Sequence, residues 1–299
     1  MFVSLVDVGP RDGLQNEELS LSPEIRAELC ERLTAAGLPR IEAASFVNPK
    51  RVPQMAGAEE VLEAIDYGAS PDARFAGLVL NEKGYERAVA AGVDEVRYAF
   101  PVTDEFARRN QNTTATEGAS LAGKLTQRAR ADGVRSSITL SAAFGCPFEG
   151  RVEPETVLRF AEQVLDSEPD EIVLADTIGV GVPAQVRKLV GRLSEADVSV
   201  GIHFHDTRNT GLANALAAVE WGATALDASV GGTGGCPFAP RATGNIATED
   251  LVYLLHGMGY ETGVDLNSLI GCAWWLSERL GKELPGRLHK SGSFEPVAG

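Results

Sequence analysis

Cysteine is scarce in this 299-residue chain: four residues, Cys30, Cys146, Cys236 and Cys272, lie far apart and form no CxxC pair. That argues against a zinc ribbon or a secreted disulfide framework, so reduced thiols are expected. Basic residues are also in deficit. With 27 Lys and Arg against 42 Asp and Glu, the formal charge of −15 disfavours nucleic acid and anionic membrane as general partners, since both reward a basic surface. An anionic substrate therefore needs a local basic patch. No apolar run reaches the roughly 18 residues of a membrane span. Met1 leads into the strand-like Phe2–Val8 with no basic leader, so a cytoplasmic location is expected. Linker-like blocks are missing too, and a composition 44% hydrophobic and 23% charged can bury a core throughout.

What is present is a repeat. Apolar, β-rich runs at Phe2–Val8, Arg40–Ala44, Phe75–Leu80, Glu95–Phe100, Ser137–Ala142, Glu171–Ala175, Val198–Phe204 and Ala225–Val230 make eight expected strands. Between and after them, helical spacing marks Pro23–Ala36, Glu59–Ile65, Glu82–Ala91, Thr116–Ala131, Pro154–Leu165, Pro183–Glu195, Gly211–Trp221 and Thr248–Met258. Leu266–Leu280 reads as an extra helix. Alternating units specify a parallel sheet, closed or open; eight units and polar residues gathered at strand ends favour closure into a (β/α)8 TIM barrel. The chain is accordingly read as one catalytic domain over 1–285 with a partly frayed tail over 286–299. In such a barrel the C-terminal strand ends open onto one face, so distant residues converge there.

The sharpest local pattern is His203-Phe204-His205. Strand alternation puts both imidazoles on one face, where two neutral rings can bind one cation, although a lone strand histidine is more often structural. Asp12 follows the first strand in Gly9-Pro10-Arg11-Asp12-Gly13, a turn sequence whose plain reading is a self-capping Asp with Arg11 paired nearby. Together with HxH the balance changes. Two histidines and one carboxylate leave positions for water and a chelating substrate, and mixed N/O ligation without thiolates fits Mg2+ or Mn2+, the more so if the amide oxygen of Asn245 also binds. Arg11 is the preferred electrostatic catalyst, because guanidinium keeps its charge on burial. Cys236 sits in Gly231–Phe238, a glycine-rich loop suited to closing over a ligand. Glu42 and Asp176 stand at strand ends, as partners for Arg or backbone donors or as groups facing the site. Cys146, flanked by Phe144 and Phe148, reads as a packed corner, and His256 and His289 are assigned no chemistry.

Read together, the segments Val8–Glu17 (VGPRDGLQNE), Ser45–Lys50, Gly145–Gly150, Asp176–Gly179 and Thr243–Asp250 resemble the hydroxymethylglutaryl-CoA lyase family, within a wider barrel superfamily of metal-dependent lyases and Claisen-type synthases. The resemblance implies Asp12, His203, His205 and Asn245 as metal ligands and Arg11 beside the substrate carbonyl. It implies that Glu42, Asp176 and Cys236 complete the active site. The implied reaction is a retro-Claisen cleavage of a 3-hydroxy-3-methylglutaryl-CoA-like thioester to acetyl-CoA and acetoacetate. His203 would combine ligation with proton transfer, and Cys236 would close the lid and assist protonation. An acyl-CoA substrate and a homodimer are the implied partners. A Claisen-condensing acyltransferase and a non-catalytic acyl-CoA or metal-binding relative are the alternatives. The run Asp206–Gly211 departs from the DTYGQA-like sequence of the animal enzymes, and Glu18 replaces a Lys common there. A substituent other than methyl is therefore expected to suit a pocket altered at Arg208, Asn209 and Thr210.

Overall fold

The computed structural model describes residues 1–235 and 244–294. Eight parallel strands follow one another around a closed barrel: β1 (Ser4–Asp7), β2 (Arg40–Ser45), β3 (Arg74–Val79), β4 (Glu95–Pro101), β5 (Arg135–Ser141), β6 (Glu171–Asp176), β7 (Ser199–Phe204) and β8 (Ala225–Ala228). β8 closes on β1 in register, Ser4 against Ala225 through Asp7 against Ala228. This is the expected (β/α)8 barrel, each strand within a few residues of its expected bounds.

The surrounding helices are α1 (Pro23–Ala35), α2 (Ala58–Ala64), α3 (Glu82–Ala90), α4 (Asp104–Gln111), α5 (Ala115–Asp132), α6 (Pro154–Leu165), α7 (Pro183–Leu193), α8 (Gly211–Glu220), α9 (Thr248–Gly257), α10 (Leu266–Leu280) and α11 (Leu288–Ser291). Their construction is visible in α6: Pro154 opens the first turn, and Val157, Phe160, Ala161 and Val164 form the buried stripe at helical spacing. The sequence reading passed over α4 because its eight residues bury only Phe106 and Ala107, too few for a repeating apolar face. Around the start of the tail expected over 286–299 the chain is tied down. Leu284 is buried, Gly286 N–H donates to Gly231 O at 2.8 Å, and the backbone of Arg287 and Leu288 donates to Asp250. On α10 the adjacent Trp274 and Trp275 differ: Trp275 is buried with the guanidinium groups of Arg32 and Arg279 against its ring, whereas Trp274 is half exposed with its ring edge-on to His289. Among the described residues no helix is long and apolar enough to cross a membrane.

Many barrels fill their centre with branched apolar side chains. Here one end is plugged by charge. Arg40, Glu95, Arg135 and Glu171 are the first residues of β2, β4, β5 and β6. Arg40 donates to Glu95 at 2.7 Å and to Glu171 at 2.9 Å, and Ser137 donates to Glu95 at 2.6 Å. Arg135 adds longer contacts to both carboxylates, at 3.5 and 3.4 Å. Buried charges persist only when paired, and removing one partner of such a set typically costs about 3–5 kcal/mol. Arg40→Met, which leaves Glu95 and Glu171 side by side with only the longer contacts of Arg135 and Arg97, is therefore expected to lose about that much stability in urea unfolding at neutral pH. A loss under about 1 kcal/mol would mean the plug contributes little.

A second buried acid lies beneath the site. Asp7 accepts from Gly9 N–H at 2.7 Å and from the Thr248 hydroxyl at 2.6 Å, tying β1 to the start of α9. Burial pushes its carboxyl from 3.8 up to about 7, against the opposing pull of those hydrogen bonds. The sign follows from linkage: a carboxyl that binds its proton more tightly when folded stabilises fully below about pH 4. That contribution is lost as pH rises through 7. Asp7→Asn removes the titration while keeping polar groups on Gly9 and Thr248. Thermal unfolding from pH 5 to pH 8 should show a steeper fall in wild type than in the variant; parallel curves would refute the assignment.

Candidate active site and metal centre

The chain leaves β1 through a single π-helical turn, Gly9–Gly13, a form that recurs at functional sites. Close packing shapes this turn: a Cβ on Gly13 would lie 2.3 Å from Thr233 Oγ1, so only glycine fits against the loop after β8. The turn aims Arg11 and Asp12 across the C-terminal mouth of the barrel. Arg11 is clamped there, with Nε 2.7 Å and Nη2 2.6 Å from Glu42 Oε2 and Nη1 2.6 Å from Asp12 Oδ1. Glu42 thus faces the site as the arginine's partner.

Strand alternation on β7 does what the sequence pattern required. His203 and His205 turn inward with ring centroids 5.2 Å apart, while Phe204 packs outward against Phe144. Their Nε2 atoms lie 4.0 and 3.9 Å from Asp12 Oδ2. Asn245 joins through an isolated bridge to His205, and its Nδ2 donates to Asp12 Oδ2 at 2.8 Å and to Thr233 O at 3.0 Å. Ligand atoms of Asp12, His203 and His205 all lie within 4.8 Å of one another. Two donors each about 2.0–2.2 Å from an ion are separated by at most about 4.4 Å, so the closer pairs already suit a shared cation. The Nδ1 of His205, on the far side of the ring from Asp12, has no partner among the described residues.

The electrostatics prepare these donors. Burial opposes ionisation of Asp12, but Arg11, the two histidines and the Asn245 amide outweigh it and hold the carboxyl well below the usual range. Burial and the neighbouring His203 push His205 down to about 4, leaving a neutral imidazole with a free lone pair. For His203, burial is overcome by the hydrogen bond with Asp227, and its pKa rises. Arg11 remains cationic, because Glu42 and Asp12 more than offset its burial. A carboxylate, two imidazoles and a nearby amide suit a hard or borderline divalent ion that keeps open positions.

The cluster sits in a cavity of about 700 Å3. Arg11, Asp12, Glu42, His203 and His205 all line it, and Gly235, the last described residue before the gap, reaches its edge. Cys236 lies outside the described residues. Asp176 stands apart from the cavity: Ala175 and Thr177 line the wall, so alternation turns Asp176 to the other side, where its carboxylate accepts from Val180 and Gly181 N–H at 3.0 and 2.7 Å. Arg208 also faces elsewhere, donating to Ile178 O and Gly179 O, and residues 208–210 are absent from the lining. That removes their basis for admitting a larger substituent. Cys146 is the packed corner expected, its sulfur accepting from the Thr103 hydroxyl at 3.1 Å. Two buried residues were missed by sequence reasoning, Arg97 on β4 and Asp227 on β8. Both line the cavity, paired at 2.8 Å, and Asp227 lies 3.2 Å from His203 Nδ1. The available signal was a charge in the middle of an apolar strand.

Three comparisons bear on this arrangement. The family model described as HMGL-like matches residues 2–273. The chain is 48% identical to (R)-citramalyl-CoA lyase of Chloroflexus aurantiacus, over 98% of this chain and 96% of that protein. It is 41% identical to the mitochondrial hydroxymethylglutaryl-CoA lyase of Mus musculus, over 96% and 88%. Among solved structures, an HMG-CoA lyase from Acinetobacter baumannii in complex with coenzyme A and 3-methylmalate superposes with a TM-score of 0.93 at 36% identity, covering 99% of this chain and 98% of that one.

The centre makes a direct binding prediction. Titration of the metal-free protein with Mn2+ should show one tight site, weakened at least about 10-fold by Asp12→Asn or His205→Gln. His256→Gln, altering a ring bonded to Thr262 far from the cavity, should leave it intact. Equal affinity across the three variants would dismiss the centre.

Proposed function

This chain belongs to the HMGL-like family, that of the hydroxymethylglutaryl-CoA lyases within the TIM-barrel superfamily, and is a carbon–carbon lyase; we propose that it performs metal-dependent retro-Claisen cleavage of a 3-hydroxy-3-methyl diacid carried as its CoA thioester. The observation that carries this reading is the meeting of Arg11, Asp12, His203 and His205 in one cavity at the C-terminal mouth of the barrel. Asp12, His203 and His205 would hold the ion, with Asn245 as a fourth ligand once its amide presents oxygen. A divalent cation bound there supplies Lewis-acid polarisation of the substrate's tertiary hydroxyl and free carboxylate.

The side chains supply the rest. A base takes the hydroxyl proton, the hydroxyl carbon becomes a ketone, and the C2–C3 electron pair passes to the acetyl-CoA fragment as its enolate. Arg11 faces that developing charge as a fixed cation. His203 is the base we favour: with its Nδ1–H held by Asp227, Nε2 is the one ring atom that can take the proton, so it would accept that proton in exchange for its hold on the ion. The enolate carbon is then protonated to give acetyl-CoA, a step for which Cys236 remains our candidate donor. Asp176 serves the site through the turn at 177–181 that its carboxylate organises.

Two thioesters share the required unit. 3-Hydroxy-3-methylglutaryl-CoA yields acetoacetate, whereas citramalyl-CoA, one methylene shorter between hydroxyl carbon and free carboxylate, yields pyruvate. The 48% identity to a protein named (R)-citramalyl-CoA lyase supports taking citramalyl-CoA as the first candidate. A difference of one methylene is typically worth about 10- to 200-fold, so both should be cleaved at unequal rates.

The test is release of acetyl-CoA from each thioester by Mg2+- or Mn2+-loaded protein, with pyruvate and acetoacetate assayed separately and chelator abolishing both. Arg11→Ala should fold and lose at least about 100-fold in kcat with a smaller change in KM. If loaded, folded protein cleaves neither thioester but condenses acetyl-CoA with a 2-oxo acid, the lyase reading gives way to the synthase.

A further inference from the structure

We propose that Asp227, held in place by Arg97, is the positioning residue that fixes the His203 ring so that Nε2 faces the metal centre. The inference rests on the metal-dependent lyase reading and deepens it. His203 and Asp227 are register partners on adjacent strands β7 and β8, so their meeting is set by the sheet and not by a loop. Asp227 Oδ2 lies 3.2 Å from His203 Nδ1, while Nε2 of the same ring faces Asp12. A carboxylate at Nδ1 keeps the N–H there, which leaves the lone pair on Nε2 for a cation.

Arg97 explains why Asp227 can do this. Both Asp227 oxygens accept from Arg97 Nη2, at 2.9 and 2.8 Å, and both side chains are almost fully buried. Without that cation a buried carboxylate would favour protonation and would no longer demand a donor from His203. The two histidines are therefore unequal. His205 has no partner on its buried Nδ1 among the described residues, whereas His203 is locked from behind. Because Nδ1 already carries its proton, Nε2 is the one atom of the locked ring that can either hold the ion or take a proton, and the lock aims it for both.

The test compares Asp227→Leu and Asp227→Asn by Mn2+ titration and by steady-state cleavage of citramalyl-CoA, with thermal unfolding to establish the fold. Leu removes the acceptor; Asn keeps an amide oxygen for Nδ1–H. The expected result is a 10- to 100-fold weaker Mn2+ affinity and a comparable fall in kcat for Leu, with KM for the thioester changed less than about threefold. Asn should recover most of both. Because Leu leaves Arg97 buried without a counter-ion, the charge-neutral double variant Arg97→Met/Asp227→Leu provides a second route if the single variant does not fold. Wild-type Mn2+ affinity in either folded Leu variant would overturn the proposal. So would an Asn variant as impaired as Leu, since Asp227 would then serve Arg97 and not His203. A wild-type protein that binds Mn2+ yet cleaves no thioester would defeat the lyase reading alone, and the Mn2+ comparison would still decide this one.

Discussion

Charge pairing inside a water-poor barrel is the constraint on which the rest of this structure depends. An isolated ion is too costly to bury, so the arginines inside the barrel meet carboxylates and their carboxylates meet donors. At the N-terminal strand ends this yields the closed set of Arg40, Glu95, Arg135 and Glu171. Further along the barrel the same rule joins Arg97 to Asp227, and at the mouth it joins Arg11 to Glu42 and Asp12. The site is thus the upper end of a paired interior. Its side chains are held by partners on rigid strands, which is the arrangement a preorganised site requires.

Pairing also divides labour between the two ends. In the lower set the carboxylates of Glu95 and Glu171 are met by Arg40, Arg135 and Ser137, and none of its members lines the cavity at the mouth. At the mouth the pairing is looser: the Nε2 atoms of His203 and His205 stand 4.0 and 3.9 Å from Asp12 Oδ2, and Asp12 gathers donors from several elements. One end therefore supports the fold, and the other retains the unmet valence from which binding and chemistry arise.

Much of this was legible in the sequence, and the limits of that reading have physical causes. Strands and most helices follow from apolar runs and helical spacing, and Arg11, Asp12, His203 and His205 follow from turn chemistry and alternation. Arg97 and Asp227 did not, because residues 130 positions apart become neighbours only when the barrel closes with a specific register. Asp176 shows a finer limit. Its place at a strand end suggested the cavity, yet alternation with Ala175 and Thr177 turns it outward, a parity the sequence held but end-of-strand reasoning ignored. Arg208 follows the strand of the two histidines closely enough to suggest the pocket, but the carbonyls of Ile178 and Gly179 on the preceding loop claim its guanidinium. For the tail, Asp250 on α9 and Gly231 O supply backbone partners that no local pattern announces.

The clamp on Arg11 looks at first like an obstacle to catalysis, since a guanidinium already occupied by two carboxylates seems poorly placed to receive new negative charge. The donor count answers this. Arginine carries five N–H groups; contacts through Nε and Nη2 to Glu42 and through Nη1 to Asp12 engage three of them, so each terminal nitrogen retains one for the cavity. The carboxylates fix the plane of the guanidinium without exhausting it. Lysine could not substitute: one rotatable ammonium cannot hold two carboxylates in a fixed plane and still aim a remaining donor. Because the plane is set before substrate arrives, little reorganisation is needed as enolate charge develops, which is the condition under which a buried donor contributes most to a transition state. The same geometry couples the two halves of the proposed chemistry, because Asp12 orients Arg11 through one oxygen while its other oxygen faces both imidazoles. Under that proposal, opposite edges of a single carboxylate would position the metal and the enolate.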